Sequence, residues 1–164
     1  MRLYGNDSNL RGGKQVTFVG RRQQDEKFTA LTKIDFNPGN ENDEAGLTVF
    51  MDYQAHYNLS IKNIDRKRHI VLTYHLGSIR HLEKQIPLND EVVIMKVEST
   101  GTQYIFSYSY NENAFEKLGT IESKFLSTET NGGFTGVFIG LFSTGNGKKA
   151  SSKADFDWFE YLAE

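Results

Sequence analysis

The sequence contains no cysteine and only two prolines in 164 residues. Without cysteine there can be neither a disulfide framework nor a thiolate metal site, and because many exported domains also lack cysteine, its absence does not indicate a compartment. A large excess of charge of one sign is missing as well, since 19 lysines and arginines stand against 21 aspartates and glutamates. We therefore expect no nucleic-acid partner and no attraction to an anionic membrane.

Long apolar runs are also missing. The first residues, MRLYGNDSNL, have no apolar signal-peptide centre, and no window approaches the ~20 apolar residues of a membrane-spanning helix. We therefore expect no membrane partner, and localisation stays open between cytoplasm and periplasm. A chain of this length suits one domain, which would bury roughly 70% of the surface of the extended chain.

Aromatic residues, at 13%, and 15 glycines are what the sequence has in abundance. Apolar and polar residues alternate along most segments, which is typical of strands with one buried face. Clusters of Asn, Asp and Gly separate these segments and indicate turns. The sequence therefore predicts an all-β fold, an antiparallel β-sandwich of jelly-roll type. The residues expected to face inward in the central strands are Phe28, Ala30, Ile34, Phe36, Ala45, Leu47, Val49, Met51, Tyr53, Tyr57, Leu59, Ile61, Ile70, Leu72, Tyr74 and Leu76.

Two further segments leave alternatives open. IRHLEKQI, ending before Pro87, fits either a strand or one helical turn. QYIFSYSY places Tyr104, Phe106, Tyr108 and Tyr110 on one face, which fits either an aromatic core or a platform on which sugars stack. The four histidines show no metal-ligand spacing, and we interpret them as surface residues.

The segment GFTGVFIGLFS is apolar on both faces. Val137, Ile139 and Leu141 suit the core, whereas the alternate positions carry Phe134, Gly136, Phe138, Gly140 and Phe142. A sandwich strand normally shows one face to solvent, so this second face should be covered by a loop of the chain or by an external partner.

Carboxylates recur in ADFDWFEY near the end of the chain. On a regular strand Asp155 and Asp157 would leave the same face about 6.6 Å apart, and Glu160 would leave the opposite face unless a bulge intervenes. This set could serve as a glycosidase carboxylate pair, as ligands of a structural Ca²⁺, or as hydrogen-bond acceptors in turns. In the same strand we expect Phe156, Trp158 and Leu162 to face opposite to Phe159 and Tyr161.

Guanidinium and amide donors concentrate in GRRQQ, residues 20–24, where Arg21, Arg22 and Gln23 stand together. Such donors bind sugar hydroxyls or carboxylates across an interface. A charged, solvent-facing edge strand is the alternative interpretation.

Taken together, the motifs resemble a known family. RLYG, FVGRRQQ, EAGLTVFMD, HYNLSI, GGFTGVFIGLFSTGNG and ADFDWFEY occur in the same order as in the C-terminal concanavalin A-like β-sandwich of glycoside hydrolase family 43 β-xylosidases. The resemblance implies a single sandwich over residues 1–164. It also implies a missing N-terminal edge segment, since the family carries a Trp-x-Trp stretch before this point.

The resemblance further implies a noncatalytic accessory domain. In the family, the chemistry belongs to a separate five-bladed propeller, which would be the partner of this domain, and a Phe on a sandwich loop helps close the xylose pocket. Phe134 matches that residue, and Arg21, Arg22, Gln23 and Phe138 would lie near the interdomain surface. The substrate would be a xylo-oligosaccharide or an arabinoside.

Two other functions compete with this one. The chain could act alone as a carbohydrate-binding module for xylo-oligosaccharides through its aromatic and Arg/Gln surfaces. It could also be a sandwich glycosidase that uses Asp155, Asp157 and Glu160.

Overall fold

The computed structural model describes residues 1–12, 14–89, 92–133 and 136–164. The described residues form twelve strands: β1 (Arg2–Tyr4), β2 (Thr17–Arg22), β3 (Lys27–Asp35), β4 (Glu44–Phe50), β5 (Ala55–Ile64), β6 (Lys67–Leu76), β7 (Ile79–Pro87), β8 (Val93–Thr100), β9 (Gln103–Ser109), β10 (Glu116–Glu122), β11 (Phe138–Thr144) and β12 (Lys153–Ala163). A 3₁₀ turn, Ser123–Leu126, and one helical turn, α1 (Thr128–Asn131), precede β11. No helix in the described part of the chain is long and apolar enough to cross a membrane.

The strands form two antiparallel six-stranded sheets that face one another. The first has the order β1-β12-β3-β8-β9-β10, and the second has the order β2-β11-β4-β5-β6-β7. Half of the neighbouring pairs join strands that are distant in sequence, as β11 is from β2 and β4. The predicted β-sandwich is confirmed, and the segment before Pro87 is the edge strand β7.

The core lies between the two sheets and follows the predicted alternation. The inward residues of β3, β4, β5 and β6 are buried except for Leu76, which is half-buried, and Tyr53, in the turn after β4, is 48% exposed. Tyr104, Phe106 and Tyr108 are buried in the core, with Tyr57 against Phe106 in an edge-on contact. The sugar-stacking interpretation of that segment is therefore wrong.

β12 contains an extra residue that changes which side chains face inward. Its pairing with β3 runs from Phe156 opposite Ile34 directly to Phe159 opposite Thr32, which is a β-bulge. As a result Phe159 and Tyr161 pack against the core, and Leu162 is 52% exposed. The expectation that Trp158 and Leu162 share the face of Phe156 was wrong because regular alternation stops at the bulge.

The outer face of the second sheet carries two distinct rows of residues. Directly paired residues across the order β2, β11, β4, β5, β6, β7 form the aromatic row: Arg22, Phe138, Phe50, His56, His75 and Arg80. The next row toward the opposite end of these strands, the small row, is Gly20, Gly140, Thr48, Asn58, Thr73 and Leu82. The contrast in side-chain size leaves a trough on this face of the sheet.

Candidate functional site

The residues of GRRQQ form a corner at the free edge of the second sheet. β2 is the first strand in the order of this sheet, so the predicted edge strand is confirmed. The Arg21 guanidinium lies 3.9 Å from the centre of the Tyr161 ring and donates to Gln24 Oε1 at 2.8 Å. This contact joins the edge of one sheet to β12 of the other, and it depends on the bulge that turns Tyr161 toward the core.

Arg22 lies on the outer face of the same edge. Its guanidinium carbon is 5.1 Å from the centre of the Phe138 ring, and its side chain also passes beside Gly136. A cation over an aromatic face is attracted by about 0.5–1 kcal/mol at an exposed site. Arg22 and Phe138 therefore form one mixed cationic and aromatic surface.

Gln23 connects this corner to the core. Its backbone N–H donates to the Val137 carbonyl at 2.8 Å, and its side-chain oxygen accepts a bond from the buried Tyr104 hydroxyl at 2.8 Å. Its amide nitrogen donates to the Asp25 carbonyl at 3.0 Å. Burial raises the pKa of the Tyr104 phenol, which keeps this hydroxyl a hydrogen-bond donor. Gln23 is thus held in one orientation.

An open concavity of about 670 Å³ lies beside this corner, and we call it the Gln23 concavity. Its wall includes Gly136 and Val137, which follow the segment that carries Phe134. Phe134 itself lies outside the described residues. The concavity presents amide, hydroxyl and carboxylate groups, which suits hydrogen bonding to a polar surface.

The predicted Phe/Gly face is covered in part by the chain itself. The ring of Phe18 lies over Gly20 and Gly140, where a Cβ atom on Gly20 would come within 2.6 Å of Phe18 Cζ. Phe142 is 1% exposed, whereas Phe138 is half-buried. Internal cover thus accounts for Gly140 and Phe142, and Phe138 remains available at the corner.

The three candidate carboxylates do not converge. Asp155 pairs with Arg2 at 2.6 Å and Asp157 lies 3.6 Å from Lys33. Its hydrogen bond to Arg2 lowers the pKa of Asp155. The bulge brings Glu160 to the face of Asp155, but their partners on β3 are Leu31 and Asp35, so the two carboxylates are about 13 Å apart along the strand.

That separation argues against Asp155 and Glu160 as a glycosidase pair, because such carboxylates lie about 5–9.5 Å apart. The remaining pair, Asp155 and Asp157, lies beside the basic side chains of Arg2 and Lys33. The calcium hypothesis, in which Asp155 or Asp157 would bind the ion with loop carbonyls, stays a prediction. Within residues 1–12, 14–89, 92–133 and 136–164, no group of three or more His, Cys, Asp or Glu residues could hold a metal ion.

Two of the four histidines are buried in the structure. His56 is 1% exposed and His69 is 7% exposed, so the interpretation of all four as surface residues was wrong. His56 Nδ1 lies 3.1 Å from the Asp52 carbonyl oxygen, and the His56 and His75 rings are 4.7 Å apart. Burial lowers the pKa of His56 to about 4 and also lowers the pKa of His75. Both rings are therefore neutral near pH 7.

The two facing antiparallel sheets define a class, the concanavalin A-like β-sandwich. Residues 1–162 match the family described as the beta xylosidase C-terminal concanavalin A-like domain. The chain belongs to this family.

Similar proteins extend well beyond this domain. The chain is 38% identical over 163 residues to the non-reducing end alpha-L-arabinofuranosidase BoGH43B of Bacteroides ovatus, covering 98% of the chain and 30% of that protein. The solved structure described as Bacteroides ovatus xyloglucan PUL GH43B superposes with a TM-score of 0.94 at 35% identity, over 99% of the chain and 32% of that structure. The xylan beta-1,4-xylosidase of Bacillus halodurans C-125 gives a TM-score of 0.90 at 26% identity, over 98% of the chain and 32% of that structure. The chain thus spans about a third of the length of these relatives.

Proposed function

We propose that this domain is the noncatalytic partner of a family 43 propeller and that it completes the substrate pocket of that propeller with Phe134. The chemistry would belong to the propeller, which would act on xylosides or arabinofuranosides. In this arrangement the corner of Arg21, Arg22, Gln23 and Phe138 packs against the propeller or lies beside its pocket.

The observation that carries the proposal is the set of hydrogen bonds that fixes the corner. Gln23 is fixed by a buried tyrosine and by the Val137 backbone, so the strand that follows the Phe134 segment is tied to the edge strand. Pre-organised groups of this kind lower the entropy cost of docking a second domain. The family membership supports the same role, since the relatives are about three times longer than this domain.

The test uses a two-domain protein that contains this sandwich after a family 43 propeller. We expect Phe134→Ala to lower kcat/KM for an aryl xyloside or arabinofuranoside about ten- to hundredfold, the value of burying one phenylalanine side chain. Tyr4→Ala is the matched control, because Tyr4 is an aromatic residue that is 64% exposed on β1, and its kinetics should match the wild type. Equal kinetics for Phe134→Ala and the wild type would remove the role proposed for Phe134.

The accessory role is tested separately from Phe134. The 164-residue chain alone should hydrolyse neither substrate, and a propeller expressed without it should lose stability or activity that is restored when the two are joined. Hydrolysis by the chain alone that is lost in Asp157→Asn would support the sandwich-glycosidase alternative instead. A separately expressed propeller with full stability and activity would contradict the accessory role.

The stand-alone binding alternative loses one of its two surfaces in this structure. The aromatic residues of β9 that would have stacked on a xylo-oligosaccharide are buried between the sheets. The Arg/Gln corner remains, but its guanidinium groups already lie over Tyr161 and Phe138. We therefore favour the accessory role for this corner.

A further inference from the structure

A second polar cavity lies away from the Gln23 concavity, in the trough on the outer face of the second sheet. Its volume is about 240 Å³, and its lining includes His56, Asn58, Thr73 and His75. The trough lies over Asn58 and Thr73 of the small row, whose side chains are shorter than the neighbouring His56 and His75 rings, whereas Phe18 covers the Gly140 end of that row. We call this cavity the outer trough.

The loop between β1 and β2 closes one side of the outer trough. Leu10, on this loop, is 4% exposed and lines the cavity together with Phe142. The loop is tied to the sheet by Thr144, whose hydroxyl donates to the Ser8 carbonyl at 2.7 Å. The burial of Leu10 and the hydrogen bond of Thr144 therefore hold the loop in place. The polar groups farther along the trough take no part in holding it.

His56 provides a buried acceptor in the outer trough. Because a carbonyl oxygen can only accept, the contact with Asp52 assigns the proton of the neutral ring to Nδ1. Nε2 is then a pure acceptor, and it has no hydrogen-bond partner among the described residues. A buried acceptor without a donor costs about 1–3 kcal/mol of stability. A ligand whose hydroxyl or amide group donates to this nitrogen would remove that cost.

Two arginines place positive charge around the same trough. Arg11, from the loop, and Arg80, from β7, both line the cavity, and neither forms an ion pair in the described part of the chain. Burial and the nearby Arg80 both lower the pKa of Arg11. By contrast Glu44 is compensated by Lys62 at 3.4 Å, and it also accepts from Ser60 and Asn146.

We propose that the outer trough binds a single acidic sugar, a uronic acid, with its carboxylate at Arg11 and Arg80 and a ring hydroxyl donating to His56 Nε2. Guanidinium groups prefer carboxylates, and a sugar hydroxyl supplies the donor that His56 lacks. The Asn58 amide accepts from Thr48 through its oxygen at 2.7 Å, which leaves its nitrogen to donate to the sugar. The cavity is smaller than the ~300–1,000 Å³ of drug-sized sites and suits one monosaccharide.

A uronic acid fits this set of groups better than a simple anion. Acetate would pair with the two arginines, but it has no hydroxyl that could donate to His56 Nε2. A neutral sugar would supply hydroxyls but would leave both guanidinium groups without a counter-charge. The proposal is independent of the role of Phe134 and of the Gln23 concavity.

The experiment is a calorimetric titration of the 164-residue protein with sodium glucuronate at low salt, with glucose, acetate and inorganic phosphate as comparison ligands. We expect saturable binding of glucuronate that is about tenfold tighter than that of glucose, the value of one charge-assisted hydrogen bond, and tighter than that of acetate or phosphate. Arg11→Gln and Arg80→Gln should each weaken the binding of glucuronate about tenfold. Arg66→Gln, in the exposed turn between β5 and β6, is the matched control and should bind as the wild type does.

Each other result would overturn the proposal. No saturation with glucuronate, or equal affinity in the wild type and both arginine variants, would show that the trough does not bind it. Phosphate or acetate binding as tightly as glucuronate would indicate a site for anions without a sugar. A proton NMR titration adds a second measurement, in which the His56 ring signals should shift with glucuronate, with a midpoint at about tenfold higher concentration in Arg80→Gln.

Discussion

Replacing the buried His56 should change how the stability of this protein depends on pH. The pKa of His56 falls from 6.5 to about 4, chiefly because burial disfavours the charged ring, with His75 and Arg11 adding to the effect and Asp52 and Glu44 opposing it. The unfolded chain therefore binds a proton at a higher pH than the folded chain does. The stability that depends on the neutral ring is fully present above pH 6.5 and is lost as the pH falls toward 4.

The size of this loss follows from the difference between the two pKa values. One pKa unit corresponds to 1.36 kcal/mol, so the interval from 6.5 to about 4 is worth about 3 kcal/mol. Roughly 2.5 kcal/mol of it should be lost between about pH 7 and about pH 4.5. His56→Asn keeps an amide near the position of Nδ1 but cannot titrate, so that part of the pH dependence should disappear.

The assay is urea unfolding followed by the fluorescence of Trp158 across this pH range. The free energy of unfolding of the wild type should fall toward that of His56→Asn as the pH decreases, because constant costs of the substitution cancel in the comparison. His81→Asn, at an exposed position on β7, serves as the control and should keep the loss seen in the wild type. A constant difference between the wild type and His56→Asn at all pH values would refute the reasoning.

Two further predictions concern packing and metal. Gly46→Ala should lower the free energy of unfolding by about 3 kcal/mol, because its Cβ would collide with the Leu59 carbonyl. Gly12→Ala is the control and should be nearly neutral, since its Cβ would meet Asn9 at 3.6 Å. Equal stability of the two variants in thermal unfolding would contradict this prediction. Since Asp155 and Asp157 already face cations, neither EDTA nor Ca²⁺ should move the thermal midpoint. A drop of the midpoint in EDTA that Ca²⁺ reverses and Asp155→Asn abolishes would support the calcium hypothesis instead.

The sequence was sufficient to predict the sandwich and most of its core. Alternation identifies the inward residues of a strand directly, as for Phe28 and Ile34, because a strand has only two faces. It does not say whether the other face meets solvent. His56 faces outward as alternation requires, yet it is buried, because neighbouring rings and a loop from the start of the chain surround it.

The candidate site was harder to predict because its contacts join distant parts of the chain. Arg21 and Tyr161 are separated by most of the sequence, and nothing in either local pattern indicates that they meet. The exposure of Leu162 was equally hard to predict, since no glycine or proline in the sequence marks the extra residue of the β12 bulge. The outer trough depends on the registry of five strands and a loop, which only the structure supplies.

The bulge makes the tolerance of β12 to deletion depend on position. Removing Asp157 or Trp158 would convert the bulge into regular strand and leave Tyr161 opposite Ala30, so Tyr161 would keep its stacking on Phe28 at 4.8 Å and its contact with Arg21. Removing Glu160 instead would turn Tyr161 to the outer face of the sheet, because every side chain after a one-residue slip changes face. Segment length is therefore under tighter constraint after the bulge than at it, and chimaeras that exchange this strand must preserve the residue count from Phe159 onward.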